Sequence, residues 1–184
     1  PIPEYAVADF MSRYGDDIKR LGLSYFEMTT AMAFKWFSES EVEVAIIETG
    51  LGGRLDATNI ITPAISIVTN IGLEHCDILG KTVEAIAAEK AGIIKSRTPV
   101  VIGESDPESA HIFITRAAEQ SAPIMFADLT YECLEEHPHG TLQRYTLRRI
   151  DTGNIQHIEL DLLGGIQRKN LITARTAHRV LPRN

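Results

Sequence analysis

Four short apolar runs, set apart by longer helical patterns, most constrain what this chain can fold into. They are Val42-Glu43-Val44-Ala45-Ile46-Ile47, Ala64-Ile65-Ser66-Ile67-Val68-Thr69, Val100-Val101-Ile102 and Ile124-Met125-Phe126. Helical patterns over Thr82 to Ile94 and Glu108 to Gln120 separate the last three. Strands that are apolar along nearly their whole length are buried on both faces, and helices between them supply the crossovers of a parallel sheet. The spacing predicts an α/β fold built on a mostly parallel sheet with helices on both faces.

Two helices precede the sheet. Ala6, Phe10, Met11, Tyr14, Ile18 and Leu21 recur at steps of three or four, which predicts an amphipathic helix to about Arg20, stopped by Gly22. Tyr25 to Phe37 is apolar nearly all round and is expected to be buried on several sides. After Asp128 the pattern changes. Leu142 to Ile150 and Ile155 to Leu162 read as strands joined by a turn at Asp151-Thr152-Gly153-Asn154, and with Tyr131 to Leu134 they form a small antiparallel extension. Arg168 to Leu181 is a last helix.

Bulk properties narrow the partners. A length of 184 residues suffices for one domain with a substantial core. The net charge of −7 argues against a nucleic-acid partner, because phosphate contacts need a basic surface. No apolar run approaches a membrane span and no signal peptide opens the chain, so a membrane partner is not expected. Cys76 and Cys133 form no CxxC or zinc spacing and suit a reducing cytoplasm. The chain opens on Pro1-Ile2-Pro3 without a Met and is read as a piece of a longer protein.

Three residues carry chemistry. Glu48 follows the first predicted strand and is succeeded by Gly50, Gly52 and Gly53. Ligands of parallel sheets bind beyond the carboxyl ends of strands, glycines let backbone N–H groups approach an anion, and a carboxylate there can hold Mg²⁺. A turn with a solvated Glu is an equal alternative. His75 follows the next strand by a short loop, so Glu48 and His75 are expected to leave the same sheet edge from neighbouring strands. Its neighbour Cys76 makes only a superficial Cys/His pair, since catalytic pairs meet through the fold. Lys90 falls on the apolar stripe formed by Val83, Ile86, Ala87, Ala91 and Ile94. A buried ammonium is costly unless paired or modified, so Lys90 either snorkels, pairs with Glu48 or Glu89, or is chemically altered.

These residues also carry a resemblance. Glu48-Thr49-Gly50-Leu51-Gly52-Gly53-Arg54-Leu55-Asp56-Ala57-Thr58-Asn59 resembles the E-V-G-L-G-G-R-L-D-A-T-N signature of the folylpolyglutamate synthase/dihydrofolate synthase family, departing at Thr49. Thr69-Asn70-Ile71-Gly72-Leu73-Glu74-His75, Leu79-Gly80 and Glu89-Lys90-Ala91-Gly92-Ile93-Ile94-Lys95 resemble its second signature, with Glu74 where members carry Asp. Leu162 to Asn170 is similar to the G-x-H-Q-x-x-N segment, with Ile166 in place of the His. That family belongs with the Mur ligases.

The resemblance implies an ATP-dependent amide ligase that adds glutamate to dihydropteroate or folates through an acyl phosphate. It implies Glu48 and His75 as Mg²⁺ ligands, a carbamylated Lys90 holding a second Mg²⁺, and catalytic roles for all three. Gly50, Gly52, Gly53 and Asn170 would contact the nucleotide, and Phe26 and Asp56 the pterin. The residues 1–184 would be part of the ATP-binding central domain of a cytoplasmic, monomeric enzyme. The family's phosphate loop, G-T-N-G-K-G-S, and its glutamate-receiving C-terminal domain would lie outside them, so the isolated chain is expected to be inactive and to bind nucleotide weakly. A Mur-type ligase acting on a peptidoglycan precursor is the alternative within the group, and Leu55-Asp56-Ala57-Thr58-Asn59 argues against it. A non-catalytic nucleotide- or folate-binding remnant is the alternative outside it.

Overall fold

The computed structural model describes residues 1–72 and 76–181. The chain divides into two compact units, Pro1–Ile61 and Thr62–Asn184.

The first unit holds two helices and a loop. Helix α1 spans Glu4–Leu21, with Glu4 in its first turn and Lys19 and Arg20 in its last, the charge order a helix dipole favours. Gly22 ends it at φ +64°, a left-handed stop that only glycine takes without cost. Helix α2, Tyr25–Glu39, opens on a capping box: Ser24 Oγ accepts from the Glu27 N–H, and the Glu27 carboxylate accepts from the Ser24 N–H at 2.7 Å. Phe10 of α1 and Met32 of α2 are buried, and Tyr5 meets Trp36 edge-on with ring centroids 6.5 Å apart. The expected burial of α2 on several sides is not met within this unit. Tyr25 is 79% and Phe26 42% exposed, because one helix and one loop cannot cover every face of an apolar helix.

The strand expected over residues 42–47 does not form. Val44 and Ile46 are 79% and 93% exposed along an irregular path. β-Branched residues favour extended backbone, yet a strand also needs a hydrogen-bonding neighbour, and this unit supplies none among its described residues. Glu48 therefore follows an unpaired segment rather than a strand.

The second unit carries the sheets. Strands β1 (Ser66–Val68), β2 (Val100–Ile102) and β3 (Ile124–Phe126) pair in parallel in that order, with Ser66 opposite Val100 and Val100 opposite Ile124. Helices α3 (Cys76–Leu79) and α4 (Val83–Ala91) connect β1 to β2, and α5 (Pro107–Glu119) connects β2 to β3. Val68, Val100 and Ile102 pack with Ala87 and Ala91 of α4 and Phe113 and Ala117 of α5. Val101 points to the other face, against Ala177 of α6 (Gln167–Val180). The period of two along β2 thus serves two helical layers, as the sequence predicts.

Strands β4 (Tyr131–His139), β5 (Leu142–Arg149) and β6 (Ile155–Leu160) form the antiparallel extension, with a register shift between Cys133 and Glu135. Gly153, at φ +71°, makes the turn between β5 and β6. Tyr145 and Leu147 of β5 are fully buried against Leu171 of α6, so this one helix lies on both sheets. Among the described residues, no helix is long and apolar enough to cross a membrane.

Candidate functional site

The glycine-rich loop of the first unit is organised by one carboxylate. Asp56 Oδ2 accepts from the Gly50 and Leu51 N–H groups, both at 2.9 Å. Its Oδ1 accepts from the Thr58 N–H at 2.9 Å and the Thr58 hydroxyl at 2.5 Å. The chain closes on itself further where the Asp56 N–H donates to the Gly53 carbonyl at 3.2 Å. Asp56 is also the N-cap of the 3-10 turn Ala57–Ile60. Its burial opposes ionisation, but the hydrogen bonds from Thr58, Leu51 and Gly50 prevail and hold the carboxyl below its ordinary range. Gly52 sits at φ +67° and, like Gly53, is buried.

Two further residues complete this loop. The ring of Phe26 lies so close to Gly50 that a Cβ there would stand 2.5 Å from the ring Cζ. Only glycine at position 50 leaves the ring in place, and the ring stays half-exposed, a flat apolar face open to a ligand. Glu48 is exposed and forms no hydrogen bond or ion pair among the described residues. The two carboxylates of the signature therefore differ. All four acceptor positions of Asp56 are taken, whereas Glu48 keeps its oxygens free, as a hard cation such as Mg²⁺ requires.

In the second unit the apolar stripe expected on α4 forms in part: Ile86, Ala87 and Ala91 are buried, Val83 is half-buried, and Ile94 is buried just beyond the end of the helix. Lys90 is half-buried beside that stripe, in the last turn of the helix. Within its own unit it makes no side-chain hydrogen bond or ion pair among the described residues, so the expected pairing with Glu89 is not present there. His75 lies outside the described residues. Those residues contain no group of three or more His, Cys, Asp or Glu side chains arranged around a metal position.

The carboxyl edge of the parallel sheet carries residues that the sequence motifs did not single out. Gly103 follows β2 directly, and its N–H donates to the Val68 carbonyl at 2.8 Å. A Cβ on Gly103 would stand 2.0 Å from the Thr69 carbonyl oxygen and 2.9 Å from Thr173 Oγ1 of α6. Glu104 accepts from Lys169 Nζ at 2.7 Å. Ser105 donates both its N–H and its hydroxyl to Asp128 Oδ2, at 2.7 and 2.8 Å, tying the loops after β2 and β3 together. The signal for these residues was their place one to three positions after a strand. Asn170 is exposed in the first turn of α6, and its Nδ2 donates to Gln167 Oε1 at 3.2 Å.

Known proteins resemble this chain in sequence and fold. The family described as the Mur ligase middle domain matches residues 15–178. The folylpolyglutamate synthase of Lacticaseibacillus casei is 35% identical over 181 residues, which is 95% of this chain and 42% of that protein. A solved FPGS–AMPPCP–folate complex superposes with a TM-score of 0.88 at 33% identity, covering 98% of this chain and 46% of the other. Escherichia coli FolC in complex with DHPP and ADP superposes with a TM-score of 0.73 at 33% identity, covering 88% and 36%. The chain thus spans less than half the length of these relatives. The parallel sheet and the antiparallel extension match those structures, and the chain belongs to the Mur ligase family, to its middle domain.

Proposed function

We propose that the protein containing these residues is an ATP-dependent ligase that forms an amide between glutamate and dihydropteroate or a folate. The observation that carries this reading is the signature loop, in which the Asp56 carboxylate takes up the Gly50, Leu51 and Thr58 N–H groups and Glu48 keeps its oxygens free. The relatives named above support it: a folylpolyglutamate synthase, an FPGS solved with AMPPCP and folate, and a FolC solved with DHPP and ADP.

The reaction has two steps. A carboxylate oxygen of the acceptor attacks the γ-phosphorus of ATP, and ADP departs. The glutamate amine then attacks the acyl carbon, loses its proton, and phosphate departs as the amide forms. Catalysis of this kind consists mainly of positioning and charge neutralisation. Glu48 and His75 would be ligands of one Mg²⁺ and a carbamylated Lys90 would hold a second; Mg²⁺ when bound neutralises the phosphate oxygens. Lys90 as an ammonium cannot ligate a cation; converted to a carbamate by addition of CO₂ and loss of a proton, it can. The N–H groups around Gly52 and Gly53, together with Asn170, would meet the nucleotide. Phe26 would stack on the pterin. With its oxygens saturated, Asp56 serves the pterin through the loop that it holds. Residues 1–184 would form part of the ATP-binding central domain of a cytoplasmic monomer.

Glutamate-dependent ADP release by the full-length protein, with dihydropteroate, a folate or a nucleotide-linked peptidoglycan peptide as acceptor, tests the reading. Release with either of the first two supports it. Release with the peptide alone, or with none, overturns it. Glu48→Gln is expected to lower that turnover by about a hundredfold with an unchanged unfolding midpoint, the mark of a residue that stabilises developing charge. Turnover near wild type at saturating Mg²⁺ would remove Glu48 from the site.

A further inference from the structure

Helix α6 begins with an electrostatic mismatch. Its first turn holds Arg168 and Lys169 and no acidic residue, and Ile166 at the N-cap supplies no side-chain hydrogen bond. The positive end of a helix dipole disfavours cations. Both are met instead by glutamates from distant parts of the chain. Lys169 Nζ donates to Glu104, two residues beyond β2, at 2.7 Å. Arg168 Nη1 lies 3.9 Å from Glu136 Oε2 on β4. Each of the two sheets therefore contributes one acid to the same helical turn.

The backbone that carries Glu104 is itself packed against α6. Gly103, next to Glu104, already touches the Thr69 carbonyl and Thr173 of α6 more closely than any side chain would permit. Successive residues on a helix point about 100° apart. With Arg168 directed at β4 and Lys169 at the carboxyl end of β2, the direction of Asn170 is set, and its side chain faces solvent.

We propose that Glu104 and Lys169 are positioning residues for nucleotide binding: their ion pair sets the rotation of the first turn of α6 and thereby the aim of Asn170. This rests on the reading of Asn170 as a nucleotide contact. An ion pair this exposed contributes little to stability, so its effect is orientational and separable from folding.

The test uses the full-length protein, with AMPPCP as the nucleotide probe and dihydropteroate as the second ligand, both followed by calorimetry. Glu104→Gln and Lys169→Met are each expected to weaken AMPPCP binding about tenfold, with dihydropteroate affinity and unfolding temperature unchanged. Lys169→Arg should keep wild-type affinity. The exchange Glu104→Lys with Lys169→Glu should recover it to within about threefold. Unchanged AMPPCP affinity in both single variants, while Asn170→Ala weakens it, would overturn the positioning role and leave the reading of Asn170 standing. Unchanged affinity in Asn170→Ala would overturn that reading and the proposal with it. Equal weakening of both ligands, or no recovery on exchange, would reduce the pair to a general structural contact and also overturn the proposal.

Discussion

The glycine-rich loop of the first unit and the carboxyl edge of the parallel sheet are held by different physics. The loop takes its shape from four hydrogen bonds converging on the Asp56 carboxylate, in a half-exposed setting. The sheet edge takes its shape from volume: Val100 and Val101 are fully buried, Ile102 nearly so, and Gly103 has no space for a methyl group. A loop built on one ionised group responds to pH and to single polar substitutions. A sheet edge built on packing responds to volume.

The largest expected effect tests the packing side. Phe113→Ala empties a fully buried position beneath the sheet and is expected to cost about 3–5 kcal/mol, read by urea unfolding followed by far-UV circular dichroism. Gly103→Ala adds volume where there is none and is expected to cost about 1–3 kcal/mol, since the nearest atom is a backbone oxygen that cannot turn aside. A neutral Gly103→Ala would mean that the edge is softer than its contacts indicate.

The loop side is tested by Asp56→Asn. An amide presents one oxygen and one NH₂, so one of the two donor pairs would face another donor. The expected cost is about 1–2 kcal/mol. Trp36, the one tryptophan, lies in the same unit and reports the transition by fluorescence. Because the native Asp56 carboxyl is held below its ordinary value of about 3.9, the unfolded chain binds the proton more readily. The stabilisation is complete above about pH 4 and is lost as pH falls through the lower native value. The difference between wild type and Asp56→Asn should therefore shrink on acidification; a constant difference would remove the charge from the explanation. The smallest expected effect is Gly50→Ala, within about 0.5 kcal/mol in stability, because the Phe26 ring can swing away. Its consequence would appear in pterin affinity instead.

Much of the second unit was legible in the sequence. The apolar runs at Ala64 to Thr69, Val100 to Ile102 and Ile124 to Phe126 each contain a strand of the parallel sheet, though only Val100 to Ile102 is buried on both faces; Ile67 is exposed and Ile124 to Phe126 half-buried. The turn at Gly153 and the stop at Gly22 were legible because a left-handed residue needs glycine. Residues 42–47 were not, since composition reports a preference for extension and says nothing of whether a neighbour is there to pair. Of the candidate site, the signature holds Glu48 and Asp56 and the resemblance adds Phe26, but the division of labour between the two carboxylates depends on which N–H groups the loop turns inward. The Glu104–Lys169 pair joins residues 65 positions apart, and no local pattern announces such a meeting.

The placement of α6 on both sheets has a consequence for how the second unit comes apart. Ile172 packs against the clusters of both the parallel and the antiparallel sheet, with Leu171 on one side and Ala177 on the other. Neither sheet can shed this helix without uncovering the other. Amide protons of Val101 in β2 and Leu147 in β5, on sheets that share no ladder, are thereby placed in a single cooperative unit and should exchange with solvent through one common opening.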